Sequence, residues 1–380
     1  MVEQDLTIEP GSTIGIMGGG QLGRMIALAA SNLGYRIAVF CESEDDPATQ
    51  VCQKAVIAPF NDFLALKKFT SMADVITFEF ENVPAEAANF LEAHSLVRPK
   101  PKVLAIAQDR ILEKTFLNEI GIETAPWAQI NQADHISRAM LSLGHDAIFK
   151  TARFGYDGKG QATIRGDQAL LDTWIAAGKP PSIAEGIVDF ACEISVIIAR
   201  GLDGKTQCYD IAENQHRNHI LDTTIAPGRV DFEISEQAKI IAEKIANSLS
   251  LVGLIAIEMF VTKDRRILVN EIAPRPHNSG HWTIDACVTS QFEQLVRAIC
   301  GLPLGSPQRH SNALMRNLLG KDVERWPQII ADGENKLHLY GKRGAPPGRK
   351  MGHVTRLFPL SPSWDSVTLD TAMTSIRENS

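Results

Sequence analysis

The chain has 380 residues, enough for two or three domains with a core each. A hydrophobic fraction of 44%, a charged fraction of 22% and a net charge of -7 are those of an ordinary globular protein. They exclude a broad basic surface for nucleic acid, and no apolar run reaches the roughly 20 residues of a membrane-spanning helix. Met1–Thr13 is polar and acidic, with no apolar signal core, and the six cysteines are scattered without a C-x-x-C pair. Reduced thiols and a cytoplasmic location are expected.

The first third alternates strand and helix. Thr13–Met17 reads as a strand, Gly18–Gly20 as a tight turn and Gln21–Leu33 as a helix ended by Gly34. Arg36–Phe40 and Val75–Glu79 read as further strands, which predicts a parallel sheet flanked by helices. Gly18, Gly20 and Gly23 have the G-x-G-x-x-G spacing of a dinucleotide site, and Glu42 falls where a ribose-binding acid would stand. The same glycines suit another phosphorylated ligand or plain packing, so three readings stay open here. Pro99 and Pro101 mark a first boundary, before a helix expected over Ala105–Ile120.

The middle third is richer in strands, expected at 147–151, 160–164, 182–185, 193–200 and 207–211, with helices over Ser235–Leu249 and Ser290–Ile299. Lys150 lies in an apolar strand, where an unpaired charge is costly. The glycine-rich hairpin Phe154–Gln161 follows, with Gly155, Tyr156, Asp157, Gly158, Lys159 and Gly160; its amides, with Lys150 and Lys159, suit polyphosphate. An exposed hairpin without a ligand is the alternative. Glu185, Gly186, Ile187 and Val188 end one strand and Glu193 stands near the start of another, a pattern that suits an adenine edge and ribose hydroxyls.

Leu254–Val261 and Arg266–Ile272 are apolar runs joined by a polar turn. A two-residue hairpin centred on Asp264 and Arg265 would set Glu258 opposite Glu271, and like charges facing across a ladder destabilise it. A divalent cation, magnesium first, would answer them; so would Arg266, Arg275 or a lysine. Gly301, Pro303, Gly305 and Pro307 mark a second boundary.

In this order, Lys150, the hairpin, Glu185–Val188, Glu193, Glu258 and Asn270–Glu271 resemble an ATP-grasp enzyme. Five blocks more closely resemble the family of N5-carboxyaminoimidazole ribonucleotide synthases: G-G-G-Q-L-G-R at 18–24, T-F-E-F-E-N-V at 77–83, T-A-P-W at 124–127, N-E-I-A-P-R-P-H-N-S-G-H-W-T at 270–283 and P-G-R-K-M-G-H at 347–353. The resemblance implies an α/β chain with a Rossmann-like N-terminal domain (1–104), an ATP-grasp domain (105–305, lid around 151–190) and a small C-terminal domain (306–380). It implies ATP contacts at Arg110, Lys150, Gly155–Gln161, Glu185–Val188, Glu193, His216 and Asn270, with Glu258 and Glu271 as magnesium ligands and Glu271 also at the nucleotide. Ala273 stands where many ATP-grasp enzymes carry Asn, which removes a possible third metal ligand.

The implied reaction joins bicarbonate, ATP and aminoimidazole ribonucleotide through carboxyphosphate, in a homodimer. Lys150, Arg275 and His277 are its catalytic candidates. Gly20, Gln21, Glu79, Asn82, Tyr156, Asp157, Arg275, Asn278, His281, Arg349 and Lys350 are candidates for holding the ribonucleotide or bicarbonate. The rival readings are a sibling ligase for another acid, an NAD-dependent oxidoreductase and a non-catalytic nucleotide-binding regulator.

Overall fold

The computed structural model describes residues 6–144, 146–155, 160–365, 369–371 and 373. Strands β1 (Thr13–Met17), β2 (Arg36–Cys41), β3 (Lys54–Ile57) and β4 (Val75–Phe78) form a parallel sheet in the order β3-β2-β1-β4. Of these four, β1, β2 and β4 are nearly continuous buried apolar runs, as strands covered on both faces require. The edge strand β3, largely exposed, gave no such signal. The helix expected over Ala105–Ile120 is two helices, Pro101–Gln108 and Arg110–Glu119. Asp109 between them is extended, and its carboxylate accepts from Ile111 N and Leu112 N at 2.9 and 3.4 Å, capping the second.

An antiparallel sheet follows, made of β5 (Trp127–Ile130), β6 (Asp146–Thr151), β7 (Gln161–Arg165) and β8 (Ser182–Gly186), in the order β5-β8-β6-β7. Helices Asp134–Leu143 and Asp167–Ala176 close its core through Ile136, Met140, Leu170 and Trp174.

The remaining strands are β9 (Phe190–Arg200), β10 (Thr206–Cys208), β11 (Ala212–Arg217), β12 (Ile220–Ala226), β13 (Gly253–Thr262), β14 (Ile267–Ala273), β15 (Asn312–Leu319), β16 (Asn335–Leu339) and β17 (Lys350–Phe358). They build one 9-stranded sheet, β14-β13-β9-β11-β12-β15-β17-β16, with β10 beside β9. The strand expected at 207–211 instead ends at Cys208, and buried Tyr209, its hydroxyl donating to Thr289 O at 3.0 Å, separates it from β11. The β11–β12 hairpin escaped notice because Glu213, Asn214 and Asp222–Thr224 are polar despite their burial. One face of the large sheet packs on the N-terminal unit and on helix Gln291–Ile299 through Ile197, Ala199, Leu254 and Ala256. Helix Phe232–Ser248 and helix Arg110–Glu119 cover the other, against Val196, Ile198, Ile255 and Ile257. Among the described residues no helix is long and apolar enough to cross a membrane, and the cysteines are free thiols.

Candidate active site

The acid pair is placed by the local register of β13 and β14. Val261 pairs with Ile267, so the turn has Lys263, Asp264 and Arg265 at its centre in place of the two-residue turn expected. Arg265 N donates to Thr262 O at 2.9 Å, and Arg265 adopts a left-handed φ of 67°. This register alone would miss the facing of the acids by one residue. A bulge restores it: Met259 pairs with Val269 and Glu258 with Glu271, leaving Asn270 as the extra residue. The expected facing therefore holds, by a longer turn and a compensating bulge.

Opposed residues share a sheet face. Glu193 lies opposite Phe260, which puts it on the face of Glu258 and Glu271. That face is apolar at Leu254 and Ala256 and becomes acidic where the packing ends. Burial and the charge of Glu271 push the Glu258 carboxyl up to about 7. His216 Nδ1 stands 2.7 Å from Glu193 Oε2. Burial opposes protonation of this ring, but the bond to Glu193 and the Glu258 charge outweigh it and raise its pKa. His277 Nε2 lies 3.6 Å from Glu258 Oε1, and burial, then the Arg275 charge, hold the His277 ring well below its ordinary range, hence neutral. A divalent cation between Glu258 and Glu271 would relieve both causes of the Glu258 shift, so the pair fits one.

The cationic side of the site comes from the small antiparallel sheet. Ile148 lies opposite Glu185, which sets Lys150 diagonally beside it on the same face. Lys150 pairs with one oxygen of Glu185, and Lys114 Nζ stands 2.9 Å from the other. Burial would raise this carboxyl, but Lys114 and then Lys150 overrule it and hold it at about 2. Arg110 donates to Thr151 O at 3.1 Å and Gly155 O at 3.4 Å, tying the helix start to the entry of the hairpin. At the exit, Gly160 has φ 72°, and a Cβ there would stand 2.6 Å from Thr151 Oγ1. Gln161 lies opposite Lys150, its Nε2 3.3 Å from His219 Nδ1. Tyr156, Asp157, Gly158 and Lys159 lie outside the described residues. Gly186 ends β8, with Ile187 exposed and Val188 half-buried after it.

The N-terminal glycine turn is occupied from within. Glu79 Oε1 accepts from Gly20 N at 2.8 Å and Oε2 from Gly23 N at 3.2 Å. Burial still pushes the Glu79 carboxyl up against these donors. A carboxylate thus takes the amides that a phosphate would use, and Gln21 begins the helix beside them. Glu81 pairs with Arg275 and, despite burial, is held below the usual carboxylate range by it; half-buried Asn82 is next in the chain.

Asn278 and Asn317 exchange amide bonds at 2.9 and 2.7 Å, which fastens the 270–283 block to β15. His281 is buried, its Nδ1 3.0 Å from Gln291 Nε2. Gln291 also donates to His277 O and accepts from His277 N, at 2.8 and 2.9 Å. Arg349 and Lys350, adjacent in sequence, part company. Arg349 donates to Arg343 O at 2.7 Å within its own loop, whereas the Lys350 charge acts on Glu258, His216 and His277.

Sequence reasoning did not single out Glu81, Glu113, Lys114 or Gln291. Glu113 and Lys114 share the buried helix face with Leu117, at i, i+3 and i+4 spacing, while Leu112 is half exposed. Charged residues on the buried stripe were the available signal. Gln291 offered none, because a Gln at a helix start is commonplace.

The lysine-clamped carboxylate and the facing acids fit the nucleotide site of an ATP-grasp enzyme. An ATP-grasp domain model matches residues 115–292, a ribonucleotide synthetase preATP-grasp domain model 12–108, and a phosphoribosylaminoimidazole carboxylase C-terminal domain model 313–361. An N5-carboxyaminoimidazole ribonucleotide synthase from Brucella melitensis is 47% identical over 93% of this chain and 98% of its own length. The crystal structure of an N5-carboxyaminoimidazole ribonucleotide synthetase in complex with ADP superposes with a TM-score of 0.91 at 40% identity, covering 97% of each chain. The Aspergillus clavatus N5-carboxyaminoimidazole synthase, solved with ADP and 5-aminoimidazole ribonucleotide, superposes with a TM-score of 0.88 at 26% identity, covering 97% of this chain and 98% of that one. The chain belongs to the N5-carboxyaminoimidazole ribonucleotide synthase family, and is an ATP-dependent ligase.

Proposed function

We propose that the chain carboxylates 5-aminoimidazole ribonucleotide with bicarbonate at the expense of ATP, giving N5-carboxyaminoimidazole ribonucleotide, ADP and phosphate for purine synthesis. The observation that carries this reading is the facing of Glu258 and Glu271 beside the Lys150–Glu185–Lys114 cluster. Mg²⁺ held by the acid pair would neutralise charge on the ATP phosphates.

A bicarbonate oxygen attacks the γ-phosphorus, the bond to the bridging oxygen breaks, and ADP leaves with carboxyphosphate formed. The ribonucleotide amine takes the carboxyl carbon, and inorganic phosphate departs. Lys150 stabilises charge on the transferring phosphoryl group, and Glu185 fixes its ammonium. Arg275 presents a planar fork suited to bicarbonate, steadied by Glu81. The His277 ring, held neutral beside Glu258, can accept a hydrogen bond that orients the amine, and the proton the amine loses leaves with the inorganic phosphate. Adenine lies against Glu185–Val188 and the ribose against Glu193. The ribonucleotide sits between Glu79, Asn82 and the 270–283 block, with Lys350 reaching its phosphate from the acid-pair side.

The enzyme acts in the cytoplasm as a homodimer, and light scattering on the purified chain would check the dimer. The central test is ADP release with substrates omitted one at a time. Release that needs bicarbonate and the ribonucleotide together is expected. Release indifferent to the ribonucleotide, or supported equally by formate, rejects the assignment.

A further inference from the structure

The strand that carries Glu271 is the edge of the 9-stranded sheet. An edge strand leaves a row of backbone groups without ladder partners, and a bulge removes more of them. Here both occur together, at Asn270, where Glu271 must be brought opposite Glu258. The groups are answered by two neighbouring side chains of helix Arg110–Glu119. Glu113 Oε1 accepts from Ile272 N at 2.6 Å, and Lys114 Nζ donates to Asn270 O at 2.9 Å. One residue earlier, Val269 N donates to Glu123 O at 2.9 Å.

These contacts bracket the bulge on both sides. Glu113 and Lys114 are only 3% and 1% exposed, so water does not substitute for them. The Lys114 ammonium does a second thing: it stands 2.9 Å from Glu185, whose other oxygen pairs with Lys150. One buried cation therefore touches the backbone of the acid-pair strand and the carboxylate that orients the phosphate-side lysine. The two belong to different sheets.

We propose that Glu113 and Lys114 are positioning residues that lock the Asn270 bulge, and that Lys114 fixes the spacing between the Glu258–Glu271 pair and Lys150. Without them β14 can relax toward the unbulged register set by its own turn, which carries Glu271 out of line with Glu258. The inference rests on the reading of the acid pair as a metal site.

The test uses the full chain with ADP and Mn²⁺ as the probe, free Mn²⁺ being read by electron paramagnetic resonance and ADP binding without metal by calorimetry. Glu113→Ala and Lys114→Met should weaken Mn²⁺ binding about 10- to 100-fold, the usual effect of removing groups that orient metal ligands from behind. Glu113→Gln keeps an acceptor for Ile272 N and should stay within about 3-fold of wild type, well under that range. Lys114→Met should also lower kcat more than it raises the KM for the ribonucleotide. Should Lys114→Met fail to fold, because it strands part of the Glu185 charge, the Glu113 pair decides. A Glu113→Ala protein that loses only thermal stability, or a Glu113→Gln protein as impaired as Glu113→Ala, overturns the proposal. If the wild-type chain with ADP binds no Mn²⁺, the metal reading falls and this one with it; equal binding by wild type and Glu113→Ala sinks this one alone.

Discussion

The glycine turn and the acid pair both look like ligand sites, and they differ in what answers their charge. At Gly20 and Gly23 the amides of a helix start are met by Glu79 of the same chain. At Glu258 and Glu271 two carboxylates face each other; the His277 ring is held neutral by its burial, and the charges of His216 and Lys350 oppose the rise of the Glu258 carboxyl without overcoming burial and Glu271. The Lys114–Glu185–Lys150 cluster stands between these cases, with one carboxylate answered by two lysines. A fingerprint can be complete in itself, whereas a pattern that costs free energy within the protein marks where an outside charge is required.

The largest effect that could break this contrast comes from Glu271→Ala. Removing one of two repelling carboxylates should leave the thermal midpoint unchanged or raised, while ADP release falls about 10³-fold, on the order of 4 kcal/mol of barrier. Near-normal release, or a protein that unfolds, would place Glu271 among ordinary structural acids. Next is the acid limb of stability. Glu185 titrates at about 2 when folded, below the ordinary Glu value near 4.3. Its contribution, on the order of 3 kcal/mol, is thus present above that ordinary value and lost as pH falls toward about 2. Denaturant titrations at pH 5 and pH 3 should differ in this sense, and Glu185→Gln should flatten the difference.

How far the site was legible follows from the same logic. Lys150, Glu258 and Glu271 each interrupt an apolar run, so the cost of their burial can be read directly. The facing of the acids was anticipated, but its route was not. A turn with Arg265 in the left-handed region and a bulge at Asn270 shift the register in opposite senses, and neither leaves a mark in hydrophobic periodicity. Strands β1, β2 and β4 were legible because both faces are apolar; β11 and β12 were not, because Asn214 and Thr224 satisfy each other at 3.0 Å inside the sheet. Glu113 and Lys114 were passed over because their partners, Ile272 and Asn270, lie 159 and 156 positions further along the chain on β14, and the buried helix stripe they share with Leu117 does not say what they meet.

The smallest expected effect sharpens the other side of the comparison. If Glu79 completes the glycine turn, Glu79→Ala leaves Gly20 N and Gly23 N without their acceptor in a largely buried place. Unsatisfied buried donors cost about 1–3 kcal/mol, and chemical denaturation should show a loss of that order. Mn²⁺ binding in the presence of ADP should not change, because the acid pair belongs to another sheet and answers to other partners. Glu79→Gln keeps one acceptor oxygen but turns an amide NH₂ toward the second N–H, so it should recover only part of the loss. Inorganic phosphate offers the decisive control. If the turn is a phosphate cradle that Glu79 merely blocks, phosphate should stabilise Glu79→Ala more than wild type; if Glu79 is the turn's own anion, it should stabilise both equally little.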